Sequence, residues 1–237
     1  MEIKKHSHRH AEAILRNVPE YVPLWNEIQE MLDSITEQKM IDHFKEHHEG
    51  QDKQTKSLSK TINDLIYQGL NAKTPKELMD VFDDDVWIAE SQIFGDSEYG
   101  LNEWRLDFAK KVNISDFAVL DGSNQIESGI SIEVAFNNAG SAAWNLVKPV
   151  IASELNHVKK NIQTSLGIVI AATEDLKKAG GFDSTVGTFE HYAKMLVPMR
   201  DIVSVPMLII GLEAPKTFRI AQEIKNGKKY GRVEMIS

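Results

Sequence analysis

The sequence predicts a mixed α/β fold, and three observations carry that prediction. Leu166-Gly-Ile-Val-Ile-Ala-Ala172 and Val205-Pro-Met-Leu-Ile-Ile-Gly-Leu212 are short uncharged apolar runs, as buried parallel strands require. Gly129 to Phe136 alternates, with Ile130, Ile132, Val134 and Phe136 on one face and Ser131, Glu133 and Ala135 on the other. The first third of the chain instead places its apolar residues at helical spacing. These features imply one domain over 1–237, with a mixed central sheet flanked by helices. Residues 1–105 form a mainly helical region, and 106–237 form the α/β core.

Each element has its own signal. Pro23 to Ile35 aligns Leu24, Ile28, Met31, Leu32 and Ile35 on one helical face, with Pro23 suited to the first turn. A second helix is expected over Glu37 to His47, followed by a polar loop from Glu49 to Lys56. Ser57 to Leu70 reads as a third, through Leu58, Ile62, Leu65 and Ile66. Thr74-Pro-Lys-Glu-Leu resembles a helix start, with Thr capping and Pro at the first position. Asp116-Phe-Ala-Val-Leu-Asp121 is expected to pair with the alternating strand as a hairpin, across a turn at Gly122-Ser-Asn-Gln. A long helix is expected from Ala142 to Gln163, and a short one from Thr188 to Leu196.

Composition bounds the function. The chain has 237 residues, 26% charged and 42% hydrophobic, the balance of an ordinary globular protein. The absence of cysteine excludes disulfides, thiolate metal sites and cysteine nucleophiles. No run reaches the roughly 18 apolar residues of a membrane span, and Met1 to His10 lacks a signal-like apolar stretch, so a cytoplasmic protein is expected. The net charge of −8 does not by itself suit a nucleic-acid partner. Local patches decide that question, however, and Lys216, Arg219, Lys225, Lys228, Lys229 and Arg232 crowd the last stretch.

Chemistry concentrates on two carboxylates. Glu133 occupies the non-apolar face of a nearly uncharged strand, and Asp116 opens the strand expected beside it. Antiparallel pairing can bring two such groups together, where a cation must neutralise them. Oxygen donors without His or Cys suit Mg²⁺, which activates water and stabilises charge in phosphodiester cleavage. On spacing alone, a strand cap and a solvent-facing glutamate explain the same pattern.

Ile132-Glu-Val-Ala-Phe136, with Asp116-Phe upstream and a helix downstream, resembles the active-site hairpin of the PD-(D/E)xK nucleases. More closely, the chain resembles the BglII/BstYI-like group of type II restriction endonucleases. The likeness continues in order through Ser7-His, Leu24-Trp-Asn-Glu-Ile-Gln-Glu, Ser57-Leu-Ser, Ser153-Glu-Leu and both apolar strands. It implies a restriction-endonuclease-like core, Mg²⁺-dependent cleavage of double-stranded DNA and a homodimer on a short palindrome with a GATC core. It also implies Asp116, Glu133 and the Val134 main-chain carbonyl as metal ligands. The loop between the two acids is longer than in that group, which leaves Asp107 and Asp121 as alternative partners.

Where the group has Gln, and wider relatives Lys or Glu, this chain has Ala135, whose methyl cannot orient water. Three explanations present themselves: an inactivating substitution, migration of the role to Lys148, or a natural binder that no longer cuts. The first is the expectation, since the rest of the hairpin is intact; a noncatalytic sequence-specific DNA-binding protein is the alternative function. For base contacts the resemblance implies Asn137, Asn138 and Ser141 after the catalytic strand, and Ser184 and Thr185 in the Gly180–Thr188 loop. Asn suits adenine in the major groove, although these residues also suit plain turns. Lys228 and Lys229 are candidates for phosphate contacts, or part of a solvated tail. His6, His8 and His10 are expected to be incidental, His47 and His48 solvated, and Trp25, Trp87, Trp104 and Trp144 core or interface anchors.

Overall fold

The two uncharged runs form adjacent parallel strands at the centre of the molecule, and every residue of both is buried. This computed structural model describes residues 1–49, 55–77, 85–95, 104–115, 125–154, 158–225 and 227–236. In chain order its elements begin with β1 (Ile3–His8), α1 (Ala11–Asn17), α2 (Val22–Ser34), α3 (Glu37–His47) and α4 (Ser59–Gly69). Next come β2 (Ile88–Gln92), β3 (Arg105–Ser115), β4 (Gln125–Val134), α5 (Ala142–Glu154) and β5 (Leu166–Ala172). The chain closes with α6 (Glu174–Ala179), α7 (Phe189–Leu196), β6 (Met207–Leu212), β7 (Phe218–Lys225) and β8 (Lys228–Met235).

The central sheet runs β1-β6-β5-β4-β3-β2. β4, β5 and β6 are parallel, and β1, β3 and β2 pair antiparallel at the flanks. The mixed sheet expected from the sequence is therefore present. Period-two alternation gives each strand two apolar faces. Ile168, Ile170, Leu208 and Ile210 pack against the helices of the amino-terminal region, while Val169, Ala171, Met207 and Ile209 meet Leu146, Tyr192 and Leu196 of α5 and α7. The helical faces are as the spacing predicts: Leu24, Ile28, Met31, Leu32 and Ile35 are buried, as are Leu58, Ile62, Leu65 and Ile66. Thr36 caps α3 by accepting the Lys39 N–H at 3.2 Å.

Several boundaries differ from expectation. The strand that pairs with β4 is β3, starting at Arg105; the expected strand Asp116 to Asp121 lies wholly outside the described residues, as does the expected turn up to Asn124. α5 is described only to Glu154 rather than Gln163. Past it, Lys159 and Asn161 bond to Gly95 and Ile93 instead, and the Asn161 amide donates to the Phe94 carbonyl. The basic carboxy-terminal stretch is not a tail. β7 and β8 form a hairpin, with Gly227 at φ 73° in its turn and the Gly231 N–H bonded to the Thr55 carbonyl. β1 and β2 add strands to the region read as mainly helical.

Gly129 in β4 sits against the Lys110 carbonyl of β3, so that a Cβ there would collide with backbone. Gly129→Ala is expected to cost about 1–3 kcal/mol, through displacement of the β3–β4 ladder. Urea unfolding at fixed m-value measures it; an unchanged midpoint would show that the close approach is unimportant.

Candidate active site

The site begins with strand register. Phe108 pairs with Ile132 and Ala109 with Ser131, so the next antiparallel step sets Asp107 opposite Glu133. Asp107 Oδ2 accepts the Val134 N–H at 2.7 Å, which fixes the carboxylate against the end of β4. Glu133 is 1% exposed, and its Oε2 forms an ion pair with Lys148 Nζ from α5. Lys148 also donates to the Arg105 carbonyl at 2.9 Å, so the ammonium bridges β3 and β4.

The electrostatics follow from burial. Removal from water pushes the Glu133 carboxyl well above the usual range, and the neighbouring Asp107 pushes it further, against the pull of Lys148. Burial also raises Asp107, with Lys148 opposing. Beside them, the Tyr192 hydroxyl is pushed up to about 12, mainly by burial, while it accepts the Asn145 amide at 2.8 Å.

These groups open onto a cleft of about 330 Å³, whose lining includes Asp107, Glu133, Lys148, Asn137, Tyr67 and Glu90. Glu90 was not indicated by the sequence. It holds a left-handed backbone at φ 50° and reaches Arg105 Nη1 at 2.9 Å, placing a third carboxylate at the cleft edge. Only the backbone strain marks it, and no sequence pattern encodes that.

The expected residues divide into three groups. Glu133, Val134, Asp107 and Lys148 come together. Asp116 and Asp121 lie outside the described residues; Ser115, just before them, pairs with Gln125 at the opposite end of β4 from Glu133. Ala135 is fully buried beside Leu146, Val169, Ala171 and Tyr192, and its N–H bonds to the Ile170 carbonyl at 2.8 Å.

The two expected recognition loops meet each other. The Ala139 N–H donates to the Thr185 carbonyl at 2.7 Å, the Gly187 N–H to the Asn137 carbonyl at 3.1 Å, and Asn138 bridges Val186. Asn137 Oδ1 accepts from Asn145, and Asn138 Oδ1 caps Gly140 ahead of Ser141. Ser184 and Thr185 are exposed and turn about the Asp183 carboxylate. Lys228 and Lys229 lie in the separate β7–β8 hairpin and do not line the cleft. His48, expected to be solvated, is buried against Phe44, while His8 Nε2 bonds to the Val203 carbonyl at 2.9 Å. Trp25 and Trp87 are core residues, and Trp104 meets Trp144 at 4.8 Å between ring centroids.

The donor set fits a hard divalent cation. Two carboxylates face one cleft, and the buried Glu133 Oε1 has no hydrogen-bond partner among the described residues. An orphaned, desolvated carboxylate oxygen beside a second carboxylate is a site awaiting positive charge. The Val134 carbonyl accepts the Phe136 N–H at 3.2 Å and retains a second lone pair.

Comparison with known proteins agrees with this architecture. The structure of restriction endonuclease BglII complexed with a DNA 16-mer shares 16% identity, with 100% of both chains covered and a TM-score of 0.55. Free BglII gives 14% identity, 100% of this chain, 93% of that chain and a TM-score of 0.43. No curated protein matches. The family model for restriction endonuclease BglII/BglIII matches residues 3–212, from β1 to the last residue of β6 and so across the whole central sheet and cleft. The chain belongs to the BglII/BglIII family of restriction endonucleases.

Proposed function

We propose that this endonuclease hydrolyses double-stranded DNA with Mg²⁺ held by Asp107, Glu133 and the Val134 carbonyl. The observation that carries the reading is the register-opposed pair Asp107 and Glu133 at one cleft, with Lys148 paired to Glu133. Asp107 thus takes the role first given to Asp116. A bound divalent cation supplies a water of lowered pKa and charge for the leaving oxygen.

The protein's own groups do the positioning. Asp107 is aimed by the Val134 N–H, and Glu133 is held at the end of a central strand. Lys148 supports the second of the three explanations for Ala135. Its ammonium lies where it can donate to a phosphate oxygen or orient the attacking water, a role the buried methyl cannot perform. Asn137, Asn138, Ser141, Ser184 and Thr185 read bases from the paired loops, and Lys228 and Lys229 contact phosphates. A two-fold homodimer presents one such cleft to each strand of a palindrome, with GATC as the core to test first.

Lys148→Ala and Asp107→Asn are each expected to lower plasmid cleavage in Mg²⁺ by about 10²–10³, with DNA binding retained. Full activity in Asp107→Asn would return the ligand role to another acid. Retained cleavage in Lys148→Ala would remove the lysine from the mechanism.

Ala135→Gln inserts a polar side chain among Leu146, Val169 and Tyr192. It is expected to destabilise the fold by about 1–3 kcal/mol without raising the cleavage rate. A large gain in cleavage would instead identify Ala135 as the disabling residue.

Glu133→Gln tests the electrostatics. The folded carboxyl titrates above its unfolded value, so its contribution to stability is full at low pH and is lost as pH rises through the folded pKa. In metal-free buffer the variant should melt a few degrees higher than the natural chain at pH 8, with the gap closing toward pH 4. Scanning calorimetry with chelator across this range decides it; an equal or lower melting temperature at pH 8 contradicts the assignment.

A further inference from the structure

A second group of donor atoms adjoins the cleft through Asp64 and is chemically unlike the first. His43 projects from α3, His48 closes that helix with its N–H on the Phe44 carbonyl at 2.9 Å, and Asp64 projects from α4. His43 Nε2 and His48 Nε2 each stand 3.8 Å from Asp64 Oδ2, and one ligand atom from each residue falls within 4.8 Å of the others. At 3.8 Å neither is a hydrogen bond. His48 is 7% exposed, and its Nε2 has no hydrogen-bond partner among the described residues; the same is true of His43 Nδ1. Two imidazoles and a carboxylate therefore converge without satisfying one another, and the buried Nε2 of His48 points at the shared centre.

We propose that His43, His48 and Asp64 bind one divalent transition-metal ion of the zinc class, which fastens the end of α3 to α4. Metal–ligand distances of about 2.0–2.1 Å place tetrahedral donors about 3.4 Å apart, so a closure of about an ångström completes the site. Water fills the remaining position. Imidazole donors select such an ion over Mg²⁺, whereas the oxygen-only Asp107–Glu133 pair has the opposite preference. Asp64 also lines the active cleft with Asn63 and Tyr67 of the same helix. The ion thus braces the wall that faces Asp107 and Glu133.

Titration of the full chain with Co²⁺, followed by visible absorption and calorimetry, tests the proposal. One ion per chain with tetrahedral absorption bands is expected, displaced by Zn²⁺, and retained in Glu133→Gln, which separates this site from the carboxylate centre. His48→Ala should weaken binding at least 100-fold. Asp64→Asn, half-exposed and nearly isosteric, should weaken it at least 10-fold without disturbing the fold, and should abolish the rise in melting temperature that Zn²⁺ gives the natural chain. Absence of Co²⁺ bands in the natural chain, their loss in Glu133→Gln, or unchanged affinity in both His48→Ala and Asp64→Asn would each overturn it.

Discussion

The antiparallel ladder between β3 and β4 forces two carboxylates into the same small volume, and the rest of the cleft accommodates that constraint. With Phe108 on Ile132, no rotamer choice can move Asp107 and Glu133 far apart. Two desolvated acids together are unfavourable, and one lysine from α5 offsets only part of that charge. A single Lys148 against two acids leaves a residual demand for positive charge, expressed at the unpartnered Glu133 Oε1. The fold tolerates this strain because β4 is central, buried on both faces and anchored by parallel β5. A flexible or edge strand would relax the pair apart.

The same register accounts for Ala135. Side chains at alternate positions share a face, so residue 135 follows Glu133 toward α5 and α7. One step beyond the cleft, that face is closed by Leu146 and Tyr192, and a small apolar residue fits where a long polar one would need room. α5 crosses this same face and delivers Lys148 to Glu133. The cation and the strand are thus contributed by different elements, and the hairpin motif alone does not describe the centre.

Legibility in the sequence tracked the simplicity of the environment. The helices α2, α3 and α4 and the strands β5 and β6 face a single kind of surrounding, apolar on one side or on both, so their periodicity was readable. β3 was missed because Lys110 and Lys111 disguise it. Lys110 is buried yet paired with Glu27 and Asp85, partners 83 residues away in one case, and such tertiary compensation has no local signature. With β3 unseen, Asp107 was one acid among three candidates. Glu133 was legible because a lone charge in an apolar strand stands out. His48 was misread for the reverse reason: a polar neighbourhood in sequence conceals burial against Phe44 and α4.

Where the cleft and the paired loops meet is also a matter of strand direction. Open α/β sheets place ligands beyond the carboxyl ends of their parallel strands. At that end of β4 the chain passes from Glu133 and Val134 directly into Asn137 and Asn138, and the loop after α6 arrives from β5 to bond with it through Thr185 and Val186. The loops are therefore not independent appendages. The Asn145 amide donates both to Asn137 Oδ1 and to the Tyr192 hydroxyl, which ties the first loop to α5 and α7. The position of the paired loops relative to Asp107 and Glu133 is thus set by local hydrogen bonds at the end of β4, because Asn137 and Asn138 follow Val134 by only a few residues.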